Sequence, residues 1–99
     1  MTAPIVSFLQ FFIKPQHREP FEAFMRRILK EAREYPGCLY AYCWRMADME
    51  PQYIVLSGWT DKRVMQDFEE VPRHVRAARM GEEEFFAQPM IMRHYERFE

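Results

Sequence analysis

Hydrophobic residues follow two different periods along the chain, and each period predicts one kind of secondary structure. Short runs of β-branched, aromatic and other apolar residues, bounded by Pro, Gly or polar residues, are typical of strands. Four such runs occur, at residues 4–13, 38–47, 52–59 and 90–98. A polar turn at residues 48–51 separates the second run from the third, which predicts a hairpin between these two strands.

Helical periodicity fills the two long gaps between these strands. In residues 17–34, apolar residues recur at every third or fourth position, which is typical of an amphipathic helix. A second helix is predicted to start at Thr60 or Asp61, either of which can cap it, and to break at Pro72. Helical structure is predicted to resume after this proline and to include one more turn at residues 82–87.

The order strand, helix, strand, strand, helix, strand predicts the fold. This is the split βαβ arrangement, an α+β fold of the ferredoxin-like βαββαβ type. It has a four-stranded antiparallel sheet with the helices on one face. The length of 99 residues suits one domain, which is predicted to span residues 1–99.

Both faces of the first strand are apolar, so both are predicted to be covered. One face carries Ile5, Ser7, Leu9, Phe11 and Ile13, and the other carries Val6, Phe8, Gln10 and Phe12. We expect the face with Gln10 to lie against the helices. The opposite face of the sheet then needs a cover, because exposed apolar surface costs roughly 25 cal/mol per Å². A second copy is the simplest cover, which predicts a homodimer whose sheets pack face to face over more than about 1,000 Å².

Charge and cysteine content exclude several classes of partner. The net charge is −1, with 14 basic and 15 acidic residues, so nucleic-acid binding is not predicted. Cys38 and Cys43 lie about 16 Å apart along one predicted strand, too far for a disulfide, and free thiols indicate a reducing compartment.

The N-terminal apolar run lacks a basic leader and is too short to span a bilayer, so we predict a cytoplasmic protein without a membrane partner. Motifs for metals or nucleotides are missing, so no cofactor is predicted.

Few residues offer acid–base or hydrogen-bonding chemistry in an apolar setting. His74 is the candidate acid–base group, although the arginines beside it are also typical of an exposed helix face. Gln10 is the hydrogen-bonding side chain expected between the first strand and the helices, where a substrate carbonyl, backbone or water would satisfy its amide. Trp59 is a candidate either for packing against a flat substrate or for anchoring the core. His94, on the last strand, is expected in the dimer interface.

Three short elements, together with His74, resemble the antibiotic biosynthesis monooxygenase family. They are Lys14-Pro15 after the first strand, Pro36-Gly37-Cys38 after the first helix, and Trp59-Thr60-Asp61 before the second helix. The resemblance implies the dimeric α+β barrel fold, with a pocket between helices and sheet in each subunit. It also implies where the haem-degrading branch would have its Asn, Trp and His: near Phe8, Phe68 and Ala78. None of the three matches, so haem degradation is disfavoured.

The resemblance implies a cofactor-independent monooxygenase that acts on a small aromatic substrate, such as a quinol or a polyketide-like compound. His74 would serve as the base, and Gln10 would stabilise the developing oxyanion. The side chains expected to bind the aromatic ligand are Phe8, Phe24, Trp59, Met65 and Phe68. The alternative is a homodimer of the same fold that binds a small ligand or has a structural role, without turnover. In that case the apolar side chains at helical spacing are ordinary core.

Overall fold

The strands and helices follow one another in the predicted order. The computed structural model describes residues 4–47 and 52–99. Its strands are β1 (Ile5–Ile13), β2 (Cys38–Arg45), β3 (Gln52–Trp59) and β4 (Phe86–Glu96). Its helices are α1 (Arg18–Glu34), α2 (Lys62–Glu69) and α3 (Pro72–Glu84), and a single 3-10 turn, Pro15–His17, leads into α1. The turn predicted at residues 48–51 lies outside the described residues.

The strands form one four-stranded sheet in the order β2-β3-β1-β4. Every neighbouring pair is antiparallel, with β1 paired to both β3 and β4. The helices pack on one face of this sheet, where they bury a continuous apolar core. The predicted ferredoxin-like α+β fold is therefore confirmed.

The second helical region begins and divides where the sequence predicts. Asp61 is the N-cap of α2, and its side chain accepts a hydrogen bond of 2.9 Å from the backbone N–H of Val64. Such a cap satisfies one of the backbone donors that a helix leaves without an internal partner. Pro72 then starts α3, where its missing N–H costs nothing.

The last strand starts earlier than predicted. The sequence predicts a helical turn at residues 82–87 and a strand from residue 90, but α3 ends at Glu84 and β4 begins at Phe86. The Phe86 ring is buried, 5.4 Å from the ring of Phe11, so core packing outweighs helical propensity here. Pro89 is tolerated inside β4 because this strand forms an edge of the sheet.

A glycine joins α1 to the sheet under tight steric limits. Gly37 has φ +98°, in the left-handed region, and a Cβ there would lie 2.5 Å from Cγ1 of Val64. Its carbonyl accepts a hydrogen bond of 2.9 Å from the backbone N–H of Thr60. Gly37 thus connects the end of α1 to the junction between β3 and α2.

The burial pattern of β1 corrects the predicted choice of face. The buried residues of β1 lie beneath the helices, together with the rest of the apolar core; they are Ile5, Ser7, Phe11 and Ile13. Gln10 and Phe8 alternate with these residues along β1, so they lie on the opposite face. Their neighbours on that face are Ile54 and Ile91 for Gln10, and Leu56 and Arg93 for Phe8. Gln10 lines a shallow groove on that outer face beside Trp44. The alternation could not decide between the faces, since both are mainly apolar.

The outer face of the sheet presents large apolar side chains to solvent in the single chain. Tyr42 is 52%, Trp44 is 58% and Tyr95 is 51% exposed. Tyr40 and Tyr42 stack with ring centroids 5.8 Å apart. Several large apolar side chains exposed on one face of a sheet are typical of an interaction site.

Candidate functional site

A pocket lies between the helices and the inner face of the sheet. Its volume is about 150 Å³, and most of its wall is apolar. α1 supplies one wall through Phe24, Ile28 and Ala32, and β4 supplies another through Phe86 and Met90. Met92 also lines the pocket and is 46% exposed, so the pocket reaches the surface beside the edge strand β4.

A row of three polar residues runs across the inner face of the sheet, and its two serines line the floor of this pocket. Ser57 of β3 lies directly opposite Ser7 of β1, and Ser7 lies opposite His94 of β4. Side chains that are opposite one another in antiparallel strands point to the same face. Ser7 is 2% and Ser57 is 8% exposed, so both hydroxyls are enclosed beneath the helices. His94 therefore lies on the inner face, and not on the outer face through which the two sheets are predicted to pack.

Glu69, the last residue of α2, reaches down to this row. Its Oε2 accepts a hydrogen bond of 3.4 Å from Oγ of Ser7 and lies 3.2 Å from Nε2 of His94. The Glu69 side chain is 23% exposed and lines the pocket. A carboxylate largely removed from water and held by two donors is a strong hydrogen-bond acceptor for a ligand.

Trp59 uses its indole nitrogen to hold the other end of the row. Nε1–H donates a 2.9 Å hydrogen bond to Oγ of Ser57. The Trp59 ring is 2% exposed and packs 5.2 Å from the ring of Phe68. Because a hydroxyl can accept and donate at once, Ser57 keeps its own O–H for donation. Trp59 thus serves both as a core anchor and as part of the pocket wall.

His74 lines the pocket, but both of its ring nitrogens already have protein partners. Nδ1 lies 2.7 Å from the backbone oxygen of Phe68, and Nε2 lies 2.5 Å from Oε2 of Glu31. Its ring centroid is 4.1 Å from that of Phe68. Both ring nitrogens therefore lie against polar atoms of the protein, one on α2 and one on α1. His74 thereby ties α3 to α2 and α1.

The pocket contains four of the seven residues that the sequence predicts for the site. Phe24, Trp59, Phe68 and His74 line it. Met65, a residue of α2, is fully buried in the core and does not line the pocket. Phe8 and Gln10 lie on the outer face of the sheet, so the strand-one position expected from the haem-degrading branch also points away from the pocket. The sequence did not predict Ser7, Ser57 or Glu69 as residues of the site. The one signal that could have indicated them is the presence of two serines inside otherwise apolar strands.

A second pocket, of about 190 Å³, lies on the other side of α1. There Glu22 accepts a 2.5 Å hydrogen bond from the Tyr53 hydroxyl and a 3.1 Å hydrogen bond from Arg45. The Tyr53 hydrogen bond, aided by Arg45, lowers the pKa of Glu22 despite partial burial. Burial raises the pKa of Cys43 to about 11, so this thiol stays protonated and is a poor nucleophile. This cluster is a structural ion-pair network.

Three general features of the described residues bear on partners and cofactors. Cys38 and Cys43 are both free, as predicted. Within residues 4–47 and 52–99, no three His, Cys, Asp or Glu side chains are grouped so that they could hold a metal ion. The helices in these ranges are all too short or too polar to cross a membrane.

Comparison with solved structures shows that the fold is shared widely. A candidate antibiotic biosynthesis monooxygenase from Deinococcus radiodurans has a TM-score of 0.87 at 14% identity, over 96% of this chain and 93% of that one. A protein from Pseudomonas aeruginosa has a TM-score of 0.83 at 19% identity, over 100% and 98%. A protein of unknown function from Bacteroides thetaiotaomicron has a TM-score of 0.84 at 11% identity, over 98% and 100%. At these identities the likeness establishes the fold alone.

Sequence comparison identifies the family. No curated protein is significantly similar to this chain in sequence. The model of the antibiotic biosynthesis monooxygenase family, however, matches residues 4–80, which include β1, α1, the hairpin strands and most of the second helical region. The chain therefore belongs to the antibiotic biosynthesis monooxygenase family.

Proposed function

We propose that this protein is a cofactor-independent monooxygenase of single-ring phenols or quinols. The observation that carries the proposal is the pocket itself, in which apolar walls converge on Ser7, Ser57 and Glu69. A flat apolar ring with one or two hydroxyl groups matches that distribution of apolar and polar surface. Family membership supports the reaction class, and the lining residues support the substrate class.

The size of the pocket favours one ring over several. An engineered protein cavity of about 150 Å³ binds benzene. The pocket between helices and sheet has about the same volume. A polycyclic, polyketide-like substrate would require α1 and α3 to separate from the sheet, so a monocyclic substrate is the better fit.

The proposed reaction draws all its electrons from the substrate. Loss of a phenolic proton leaves an electron-rich ring that transfers electrons to dioxygen and forms a carbon-bound hydroperoxide. The hydroperoxide then loses water, so that one oxygen atom stays on the ring and the other leaves as water; a quinol gives the hydroxyquinone by this step, and a phenol gives the quinone. The protein contributes a site from which water is excluded, a proton acceptor and a donor to the developing oxyanion. Ser57, which faces the pocket, takes over the donor role that the sequence assigned to Gln10.

Oxygen consumption tests this proposal. A panel of monocyclic quinols is added to the protein in an oxygen electrode, with heat-denatured protein as the control for autoxidation. We expect consumption of one dioxygen per hydroxyquinone formed, and loss of this activity when Phe24→Trp fills the pocket. If no member of the panel consumes oxygen faster with the native than with the denatured protein, the proposal is wrong.

One observation favours the alternative of ligand binding without turnover. His74, the base predicted from the sequence, has both ring nitrogens engaged by Phe68 and Glu31. A site without a base would bind an aromatic ligand and leave it unchanged. Heat of binding in a calorimeter without oxygen consumption would support this second function.

We infer that two copies pack through the outer face of the sheet. The exposed rings of Tyr42, Trp44 and Tyr95 lie on that face, away from the pocket. At roughly 25 cal/mol per Å² of apolar surface, covering it stabilises the dimer by far more than isolated surface contacts do. Each subunit then keeps a complete pocket on its inner side.

A further inference from the structure

We propose that Glu69 binds the hydroxyl group of the ring and, during turnover, accepts its proton. The sequence gives no hint of this role, because Glu69 is one of several acidic residues on a helix. The inference concerns recognition first and rests on the proposed function only for the proton transfer. It makes Glu69, instead of His74, the residue that distinguishes a phenol from an apolar ring of equal size.

The position of Glu69 gives it access to the ligand. It is the last residue of α2 and lines the same pocket as Trp59 and Phe24. Its side chain is 23% exposed, so most of it is withdrawn from water. A hydroxyl group that enters an apolar pocket must find an acceptor there, since burial without one is costly.

The hydrogen bonds of Glu69 orient the carboxylate and leave it able to accept another. Both known contacts, from Ser7 Oγ and His94 Nε2, are made to Oε2. A carboxylate offers about four lone-pair sites, so two donors leave capacity for a ligand hydroxyl. His94 acts as a positioning residue, because it fixes Oε2 from the neighbouring strand without lining the pocket itself.

His74 is less suited to this role. Its Nδ1 and Nε2 are 2.7 Å and 2.5 Å from acceptors on Phe68 and Glu31. To take a proton from a ligand, the ring would first have to break one of these contacts. Glu69 needs no such rearrangement.

The proton transfer is balanced by atoms already in the site. The O–H bond of the phenol breaks, an O–H bond forms on the Glu69 carboxyl group, and the electron pair remains on the phenolate oxygen. Ser57, whose Oγ accepts the Trp59 indole N–H at 2.9 Å, has an O–H with which to stabilise that oxygen. Dioxygen is the oxidant in the later step, as in the proposed function.

Ligand discrimination tests the inference without requiring turnover. Calorimetric titrations compare hydroquinone with para-difluorobenzene, a ring of similar size that has no hydroxyl group. We expect Glu69→Gln to weaken hydroquinone binding about tenfold, because a charge-assisted hydrogen bond is roughly twice as strong as a neutral one. Binding of para-difluorobenzene should be unchanged. Glu70→Gln is the matched control, since this neighbour is exposed, and it should change neither affinity.

The remaining outcomes separate the inference from the proposed function. Equal weakening of both ligands by Glu69→Gln, or of neither, overturns the inference. Glu69→Met provides a second variant that keeps side-chain volume, and it should also weaken hydroquinone binding selectively. If the wild-type protein discriminates as expected but consumes no oxygen, the proposed function fails and the recognition role of Glu69 stands. Where oxygen is consumed, Glu69→Gln should lower kcat by about a hundredfold or more, the usual contribution of a general base.

Discussion

At the scale of single residues, the pocket depends on side chains that belong to the core and line the pocket at once. Trp59 is the clearest case, because its ring is packed against Phe68 while its N–H is committed to Ser57. Of the two roles that the sequence left as alternatives for this residue, the structure shows the core anchor, and the same ring lines the pocket in which we propose that the substrate binds. Such shared use means that substitutions here affect stability and binding together.

Replacing Trp59 tests how much its hydrogen bond contributes to stability. Trp59→Phe keeps an aromatic ring but removes the N–H donor to the buried Ser57 hydroxyl. We expect the free energy of unfolding to fall by about 1–3 kcal/mol, since a buried partner is left without its hydrogen bond and space is opened. Urea denaturation followed by circular dichroism measures the change. A double variant, Trp59→Phe with Ser57→Ala, should recover part of the loss; if it does not, the hydrogen bond contributes little.

The lowered pKa of Glu22 predicts how acid affects the fold. A carboxyl group whose pKa is lower in the folded than in the unfolded state stabilises the protein above the unfolded pKa. That contribution is lost as the pH falls through the folded pKa. The melting temperature should therefore drop below about pH 5, and Glu22→Gln should make the drop smaller. Glu19→Gln, an exposed glutamate of the same helix, is the control, and equal behaviour of the two variants would refute the role of Glu22.

At the scale of elements, the junctions hold the pocket in shape. α1 meets the start of α2 through Gly37, whose carbonyl binds the N–H of Thr60 at 2.9 Å. Asp61 then caps α2, which carries Phe68 and Glu69 to the pocket. The pocket wall is thus tied to the sheet by short connections with little freedom.

Gly37→Ala tests the junction. The methyl group would meet Val64 Cγ1 at 2.5 Å, and the backbone would keep φ +98°, which L residues rarely adopt. We expect a loss of about 1–3 kcal/mol in unfolding free energy, with little change in the activity of the fraction that remains folded. Thermal and urea denaturation measure it. Gly81→Ala in α3, which has no positive φ and whose Cβ would come no closer than 3.2 Å to the Phe86 ring, serves for comparison; an equal loss would mean that strain at Gly37 is not the cause.

The element order follows from the sequence because periods of two and of three to four residues are easily told apart. The sequence does not tell which face of β1 points inward, since apolar residues occupy both sides. Only the packed structure shows that Ser7, and not Gln10, lies on the inner face. β4 begins early for a similar reason: the burial of Phe86 is a tertiary effect. The site is harder still. Ser57, Ser7 and His94 become neighbours only through the register of three strands, which no single strand reveals.

At the scale of the whole molecule, the two faces of the sheet present different surfaces. The inner face carries the pocket, and the outer face carries exposed aromatic side chains. Pairing two copies through the outer faces would cover those side chains without closing either pocket. Dimerisation and ligand binding should therefore respond to different substitutions.

Trp44→Lys tests the proposed dimer. Trp44 is 58% exposed in the single chain, so a lysine is tolerated there in a monomer but would be buried between two sheets. We expect sedimentation to show a dimer for the wild-type protein and a monomer for Trp44→Lys. The control is Met80→Lys on α3, 49% exposed on the helical side, which should remain dimeric. A monomeric wild-type protein, or an unaltered dimer in Trp44→Lys, contradicts the proposed interface.

The most direct measurement of the proposed chemistry is the fate of isotopically labelled dioxygen during the conversion of hydroquinone. The labelled gas is supplied in ordinary water, and the product is trapped at once and analysed by mass spectrometry. We expect each hydroxyquinone to carry one labelled oxygen atom, with the second in water, and we expect Glu69→Gln to form little labelled product. An unlabelled hydroxyquinone would show that its oxygen came from water, and would contradict a monooxygenase reaction in this pocket.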